Sequence, residues 1–165
     1  VVQSYAQHYQ TNESIPAELL KKISRASKFN QGFATTEYLA ASYLDLAWHT
    51  LEEKVEDANV FEKEILQNLG LIPEIASRYR STYFAHIFAG GYSSGYYSYL
   101  WTEVLDADAF ELFKEKGLFD AETANNLKTL IYSSGNTRDL MDQYRKFRGS
   151  DPKIEPLLER RGLVD

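Results

Sequence analysis

The residues best suited to chemistry lie between Tyr83 and Trp101, in Tyr83-Phe84-Ala85-His86-Ile87-Phe88-Ala89-Gly90-Gly91-Tyr92-Ser93-Ser94-Gly95-Tyr96-Tyr97-Ser98-Tyr99-Leu100-Trp101. One imidazole is followed by a Gly-Gly pair and then by the closely spaced phenols of Tyr92, Tyr96, Tyr97 and Tyr99. A phenol titrates near ~10, so at neutral pH it is protonated and donates a hydrogen bond. Donors aimed at a developing oxyanion stabilise a tetrahedral intermediate. An imidazole can donate to a carbonyl or shuttle a proton. Gly-Gly reaches backbone angles closed to other residues and can serve as a hinge. The set suits holding and polarising a peptide bond, and it contains no nucleophile.

Helical geometry would align these groups. A helix running from Tyr92 to about Glu115, with Gly117 as its stop, places Tyr92, Tyr96 and Tyr99 at i, i+4 and i+7 on one stripe. Tyr97, Leu100, Trp101 and Val104 then fall on a neighbouring stripe that can face a core. Gly95 would sit inside that helix at a cost of about 1 kcal/mol relative to alanine, which asks for a close backbone approach. Each feature also has a structural reading. A tyrosine stripe can be packing, Gly-Gly can be a helix stop, and a lone histidine can be a core residue. Spacing alone leaves both readings open.

The elements around this stretch read as helices. Val1 to Tyr9 is a short apolar start. Ser14-Ile15-Pro16 opens a helix with Leu19, Leu20 and Ile23 on one face, ending near Lys28. Phe29-Asn30-Gln31-Gly32 reads as a link, and a longer helix runs from Thr35 to about Glu53 with Tyr38, Leu39, Tyr43 and Leu46 on a broad apolar face. Asn59 is placed to cap a helix that stops at Gly70. Asp120 caps another to about Tyr132, Thr137 caps one to Phe147, and Asp151-Pro152 opens a last one ending near Gly162. There is no convincing strand pattern, repeat or linker, so the expectation is an all-α fold with residues 1–165 as a single helical unit.

The chain has 165 residues, with 44% hydrophobic and 25% charged residues, an ordinary globular balance. A net charge of −6 disfavours nucleic-acid binding. No apolar run is long enough for a membrane span. With no cysteine there are no thiolate metal sites or cysteine nucleophiles, and the composition fits a reducing, cytoplasmic setting. The chain opens on Val1-Val2 and its one methionine is Met141, which reads as an excised or processed piece.

The same residues resemble the C-terminal signature of the thimet-oligopeptidase-like zinc peptidases, above all their bacterial branch of peptidyl-dipeptidases and oligopeptidase A. The likeness continues through Trp101 to Phe110, Ser134 to Asp139 and Tyr144 to Gly149. Upstream it includes Tyr5 to Thr11 and Phe29 to Ala41, so it covers essentially the whole chain. The resemblance implies a C-terminal part of a larger helical zinc-peptidase fold around a deep substrate channel, acting on short peptides. By that resemblance Tyr99 is the oxyanion donor, Tyr92 a supporting donor on a mobile loop, and His86 a group binding the substrate backbone. Gly90 and Gly91 match the loop that closes over the peptide, and Tyr96 is a further candidate for substrate contact. The spacing from the histidine to Gly-Gly favours the bacterial branch, and His8-Tyr9-Gln10-Thr11 leans toward release of C-terminal dipeptides.

Zinc is implied for the intact parent only. The family's His-Glu-x-x-His helix is absent here, and His8, His49 and His86 are far apart in sequence. The expectation is therefore no metal ligand in this chain, an inactive isolated fragment, and a missing N-terminal part of the same polypeptide as its partner. His8 and His49 read as structural. Glu52, Glu53, Glu62 and Glu64 read as solvated helix faces, as do Arg78 and Arg80. Arg145, Arg148, Arg160 and Arg161 read as pairing with nearby acids. A non-catalytic helical interaction module, with the tyrosine stripe binding a partner helix, is the alternative.

Overall fold

A computed structural model describes residues 1–164, and it is all-helical. The α-helices are α1 (Val2–Tyr5), α2 (Ala17–Ser27), α3 (Gln31–His49), α4 (Ala58–Asn68), α5 (Ala85–Phe88), α6 (Ser98–Lys116), α7 (Ala121–Asn126), α8 (Leu140–Arg148) and α9 (Glu155–Arg161). A 3₁₀ turn at Ser81–Tyr83 precedes α5, and a π-helical stretch at Leu127–Tyr132 extends α7. A lone antiparallel bridge joins Gln7 and Ser14.

Several boundaries shift for identifiable reasons. The apolar start is helical only over Val2–Tyr5. The Phe29–Gly32 link is shorter than the sequence suggests, because α3 begins at Gln31 behind Asn30 in the left-handed region, and it stops at His49 rather than Glu53. The cap of α4 is Asp57, whose carboxylate accepts from the N–H groups of Asn59 and Val60, not Asn59 itself. Likewise Asp139, not Thr137, caps α8 through the Asp142 N–H. In both places a nearby carboxylate outcompetes the neutral side chain, since an anion also complements the helix dipole. Asp120 does cap α7 by accepting from Thr123 N–H, and that bond lowers its pKa. The last helix starts at Glu155, beyond Asp151-Pro152, and ends at left-handed Gly162.

Two small cores form. In one, Ala41 of α3, Phe84 and Ile87 around α5, and Tyr96 are buried together, flanked by Tyr38, Trp48 and Tyr79. In the other, Val104 and Ala107 of α6 pack on Leu157 of α9, with Leu100 alongside. The arginines expected to find acids do so: Arg145 with Asp142 and Asp151, Arg148 with Glu115 and Asp108, Arg160 with Asp106, and Arg161 with Glu103. No residue of α1 or α2 is buried, and Leu19 and Ile23 of α2 face outward. No helix of the described residues is long and apolar enough to cross a membrane.

Candidate active site

The candidate site is a segment clamped at both ends by buried acids. At its entry, Glu62 of α4 is buried rather than solvated. Its Oε2 accepts from Ser81 N–H at 2.7 Å, and its Oε1 meets Arg80 Nε at 2.5 Å. Trp48 Nε1–H donates to Ser81 Oγ at 2.8 Å. A buried carboxylate is tolerated when its lone pairs are met by charge and by donors, as here. These contacts hold the 3₁₀ turn, and through it α5 and His86.

The helix ends at Gly-Gly, which doubles back on it. Ala89 N–H bonds the Ala85 carbonyl, and Tyr92 N–H bonds the carbonyl of His86 at 3.1 Å. A Cβ on Gly90 would lie 2.9 Å from the Cα and the carbonyl oxygen of His86, and Gly91 has φ +81°. Both positions therefore need glycine for local geometry. Ser93 Oγ–H then donates to the Ile87 carbonyl at 2.7 Å.

The helix expected from Tyr92 starts instead at Ser98. Residues 93–97 form turns, with Ser94 at φ 54°. Gly95 is thus not in a helix, and the nearest neighbour its Cβ would meet is at 3.4 Å, an ordinary contact. The turns are held from α3. Asp45, 0% exposed, accepts from Ser94 N–H at 3.0 Å and from Tyr96 N–H at 2.9 Å. Tyr38 O–H donates to the Tyr96 carbonyl at 2.6 Å and accepts at 3.2 Å from Leu100 N–H, a donor in the first turn of α6 that is shared with the Tyr97 carbonyl at 3.1 Å.

This path still brings the phenols together, although not as a helical stripe. The rings of Tyr92 and Tyr99 stack with centroids 5.1 Å apart, and Tyr99 meets Tyr96 edge-on at 5.3 Å. His86 lies 6.4 Å from Tyr92 and 5.9 Å from Tyr96, ring to ring, and 4.9 Å from Tyr79. Tyr99 is 39% exposed and presents an open face. Tyr96 is only 4% exposed, while Tyr97 and Trp101, read as core-facing, are exposed. Burial pushes the Tyr96 phenol up to about 12, with Tyr79 adding to the rise and Arg78 opposing it. The Tyr92 hydroxyl, then burial, raises the pKa of Tyr99, so this phenol is a protonated donor at neutral pH.

Tyr38, Asp45, Glu62 and Tyr79 were not singled out by sequence reasoning as parts of this site. The hydrogen-bond partners of Tyr38, Asp45 and Glu62 in this segment are 19 to 62 residues away in sequence, beyond any local pattern, while Tyr79 meets the rings of Phe84, His86 and Tyr96. Arg78, taken as solvated, is exposed but sits 5.8 Å from the Tyr79 ring centroid, at the margin of the cluster. Hollows of about 380 Å³ beside Leu39, Leu71 and Ile75 and about 410 Å³ beside His8 and Pro16 are not lined by His86, Tyr92 or Tyr99. The site in this chain is a wall of aromatic side chains with Tyr99 exposed on it.

The histidines are committed to separate places. His8 Nδ1 contacts the Thr11 hydroxyl in an exposed turn, His49 Nδ1 lies 2.8 Å from Asp45, and His86 is in the aromatic cluster. Among the described residues no group of three or more His, Cys, Asp or Glu could hold a metal ion. These residues do not fit a zinc site.

Comparison with known proteins matches the wall and nearly all of its framework. The profile of Peptidase family M3 matches residues 1–163. The chain is 47% identical over 163 residues to dipeptidyl carboxypeptidase of Escherichia coli (strain K12), covering 96% of this chain and 24% of that protein. It is 36% identical over 158 residues to oligopeptidase A of the same organism, covering 94% and 23% respectively. Saccharolysin of Saccharomyces cerevisiae is 27% identical over 161 residues, covering 94% and 22%. The chain thus spans about a quarter of the length of these curated relatives. With the family profile running almost end to end through the clamped tyrosine segment, the chain belongs to peptidase family M3.

Proposed function

We propose that this chain is the C-terminal, substrate-side part of a zinc-dependent peptidase of family M3 that hydrolyses short peptides, releasing C-terminal dipeptides. The observation that carries the reading is the stacked Tyr92–Tyr99 pair beside His86, presented openly in a chain matched by the family almost end to end. The greater identity to dipeptidyl carboxypeptidase than to oligopeptidase A, 47% against 36%, supports dipeptide release.

In this reading the substrate lies along the wall. The Tyr99 phenol donates a hydrogen bond to the oxygen of the scissile carbonyl as negative charge gathers there, and Tyr92 supports it. Because a donor of this kind acts on charge that exists only in the transition state, it raises kcat more than it tightens substrate binding. His86 holds the substrate backbone. Gly90 and Gly91 let the loop approach the peptide without side chains in the way. Tyr96 backs the wall, touching substrate at most by its exposed edge. Zinc and the general base belong to the remaining sequence of such a protein, and the rest of the polypeptide supplies the opposite wall. Exposed apolar side chains such as Leu19, Ile23, Phe29 and Phe119 support a large covering surface of that kind.

Replacing Tyr99 by phenylalanine in the full-length peptidase tests this. Loss of one oxyanion donor is expected to lower kcat by about 10²-fold, with KM changed only a few-fold. An unchanged kcat in a folded variant would overturn the reading.

A further inference from the structure

Tyr99 stands in the first turn of α6, whereas Tyr96 lies in the turns that lead into it from Tyr92, so the placing of one phenol against another depends on how those turns are held. Two backbone N–H groups of the turn, those of Ser94 and Tyr96, both donate to one side chain, Asp45 of α3. Residues 92 and 99 flank that turn and carry the stacked phenols. Ser94 sits at φ 54°, an angle that non-glycine residues rarely adopt and that persists only where surrounding contacts impose it. The N–H of Ser94 donates to a carboxylate that is 0% exposed.

Asp45 is itself held. His49, one helical turn on, brings Nδ1 to 2.8 Å from Asp45 Oδ1 and 2.9 Å from the Asp45 backbone carbonyl. With oxygen acceptors on both approaches, Nδ1 carries the proton and donates. Phe88 packs against the same imidazole with ring centroids 5.7 Å apart, tying it to the end of α5. The Asp45 carboxylate therefore connects three elements: α3 that bears it, α5 through His49, and the turn through its two N–H bonds.

We propose that Asp45 is the positioning residue for the Tyr92–Tyr99 wall, setting the place of both phenols relative to a bound peptide without touching it. The inference rests on the reading of that wall as the oxyanion side of a peptidase. Its physical basis is that a donor displaced by about 1 Å can forfeit about 10²-fold in rate, whereas general substrate contacts spread over a cleft lose little.

The experiment compares Asp45→Asn, Tyr99→Phe and the double variant in the full-length peptidase, with circular dichroism and thermal unfolding confirming the fold of each. Asparagine keeps the size but turns an N–H₂ toward one of the two N–H donors. The expected result is a fall in kcat of about 10²-fold for Asp45→Asn with KM nearly unchanged. In the double variant, Asp45→Asn is expected to add less than about 3-fold to the Tyr99→Phe defect, because both changes remove the same interaction. Normal kcat in Asp45→Asn, or full multiplicative effects in the double variant, would overturn the proposal. If Tyr99→Phe alone is fully active, the oxyanion reading fails first and takes this one with it, so the two failures are distinguishable. Should Asp45→Asn not fold, Tyr38→Phe decides the matter. It removes the hydroxyl that ties the Tyr96 carbonyl of the same turn to the Leu100 N–H of α6. A kcat reduction of about 5-fold at constant KM is expected there, and unchanged kcat overturns the proposal.

Discussion

Asp45 and Asp108 are both essentially buried carboxylates, at 0% and 1% exposure, yet they hold different things. Asp45 accepts from the backbone of an irregular turn whose own bonds are few and short-range, such as Gly95 N–H to the Tyr92 carbonyl and Ser98 N–H to the Gly95 carbonyl. Asp108, in the middle of α6, takes side chains from α8. Tyr144 O–H donates to its Oδ2 at 2.6 Å, and Arg148 Nε approaches at 3.4 Å, while Oδ1 has no partner among the described residues. Both helices joined by Asp108 are already held by their own ladders and by neighbouring core residues. The difference teaches where the chain ties buried charge to function: a polar anchor matters most for geometry where regular structure is absent.

That contrast can be broken most severely at Asp108. Removing its side chain in Asp108→Ala strands the mostly buried Arg148 with Glu115 alone and leaves the Tyr144 hydroxyl without its closest acceptor. A loss of about 3 kcal/mol in unfolding free energy is expected, with kcat of the folded fraction unchanged. Denaturant titration and steady-state kinetics on one preparation check both halves. A kcat loss as large as that of Asp45→Asn would erase the distinction.

A smaller effect sharpens the contrast by pH. The Tyr96 phenol, sealed behind the wall, is raised from the ordinary value of 10.0 to about 12, chiefly by burial. Between these values the folded state holds a proton that the unfolded chain has lost. This contribution to stability is therefore complete below pH 10 and is lost as pH rises toward 12. Tyr96→Phe is expected to reduce the alkaline slope of unfolding free energy by up to one proton across that window. An unchanged slope would place Tyr96 in contact with solvent.

The sequence exposed the framework better than the site's construction. Gly117 and Gly162 marked helix ends and Asp120 a cap, because each acts on backbone within a few residues. Tyr92, Tyr96 and Tyr99 were found together in space, but by a different route from the helix their spacing suggests. Spacings of four and three imitate a helical stripe even when Ser93, Ser94 and Gly95 turn instead. What decides between the two is Asp45, 49 and 51 residues from its partners, and no local pattern reports such a bond. Glu62 escaped for the same reason. On α4 it resembles Glu64 beside it, and only the return of the chain at Arg80 and Ser81 buries it.

If the Tyr99 phenol acts on charge developed in the transition state, a ligand carrying that charge must feel its loss. Binding of a phosphinic peptide, whose tetrahedral oxyanion mimics that state, to the full-length peptidase and its Tyr99→Phe variant tests it most directly. The variant is expected to lose about 10²-fold in phosphinic-peptide affinity, in step with its loss in kcat/KM, while affinity for a product dipeptide is unchanged. Equal losses for both ligands, or none for either, would contradict it.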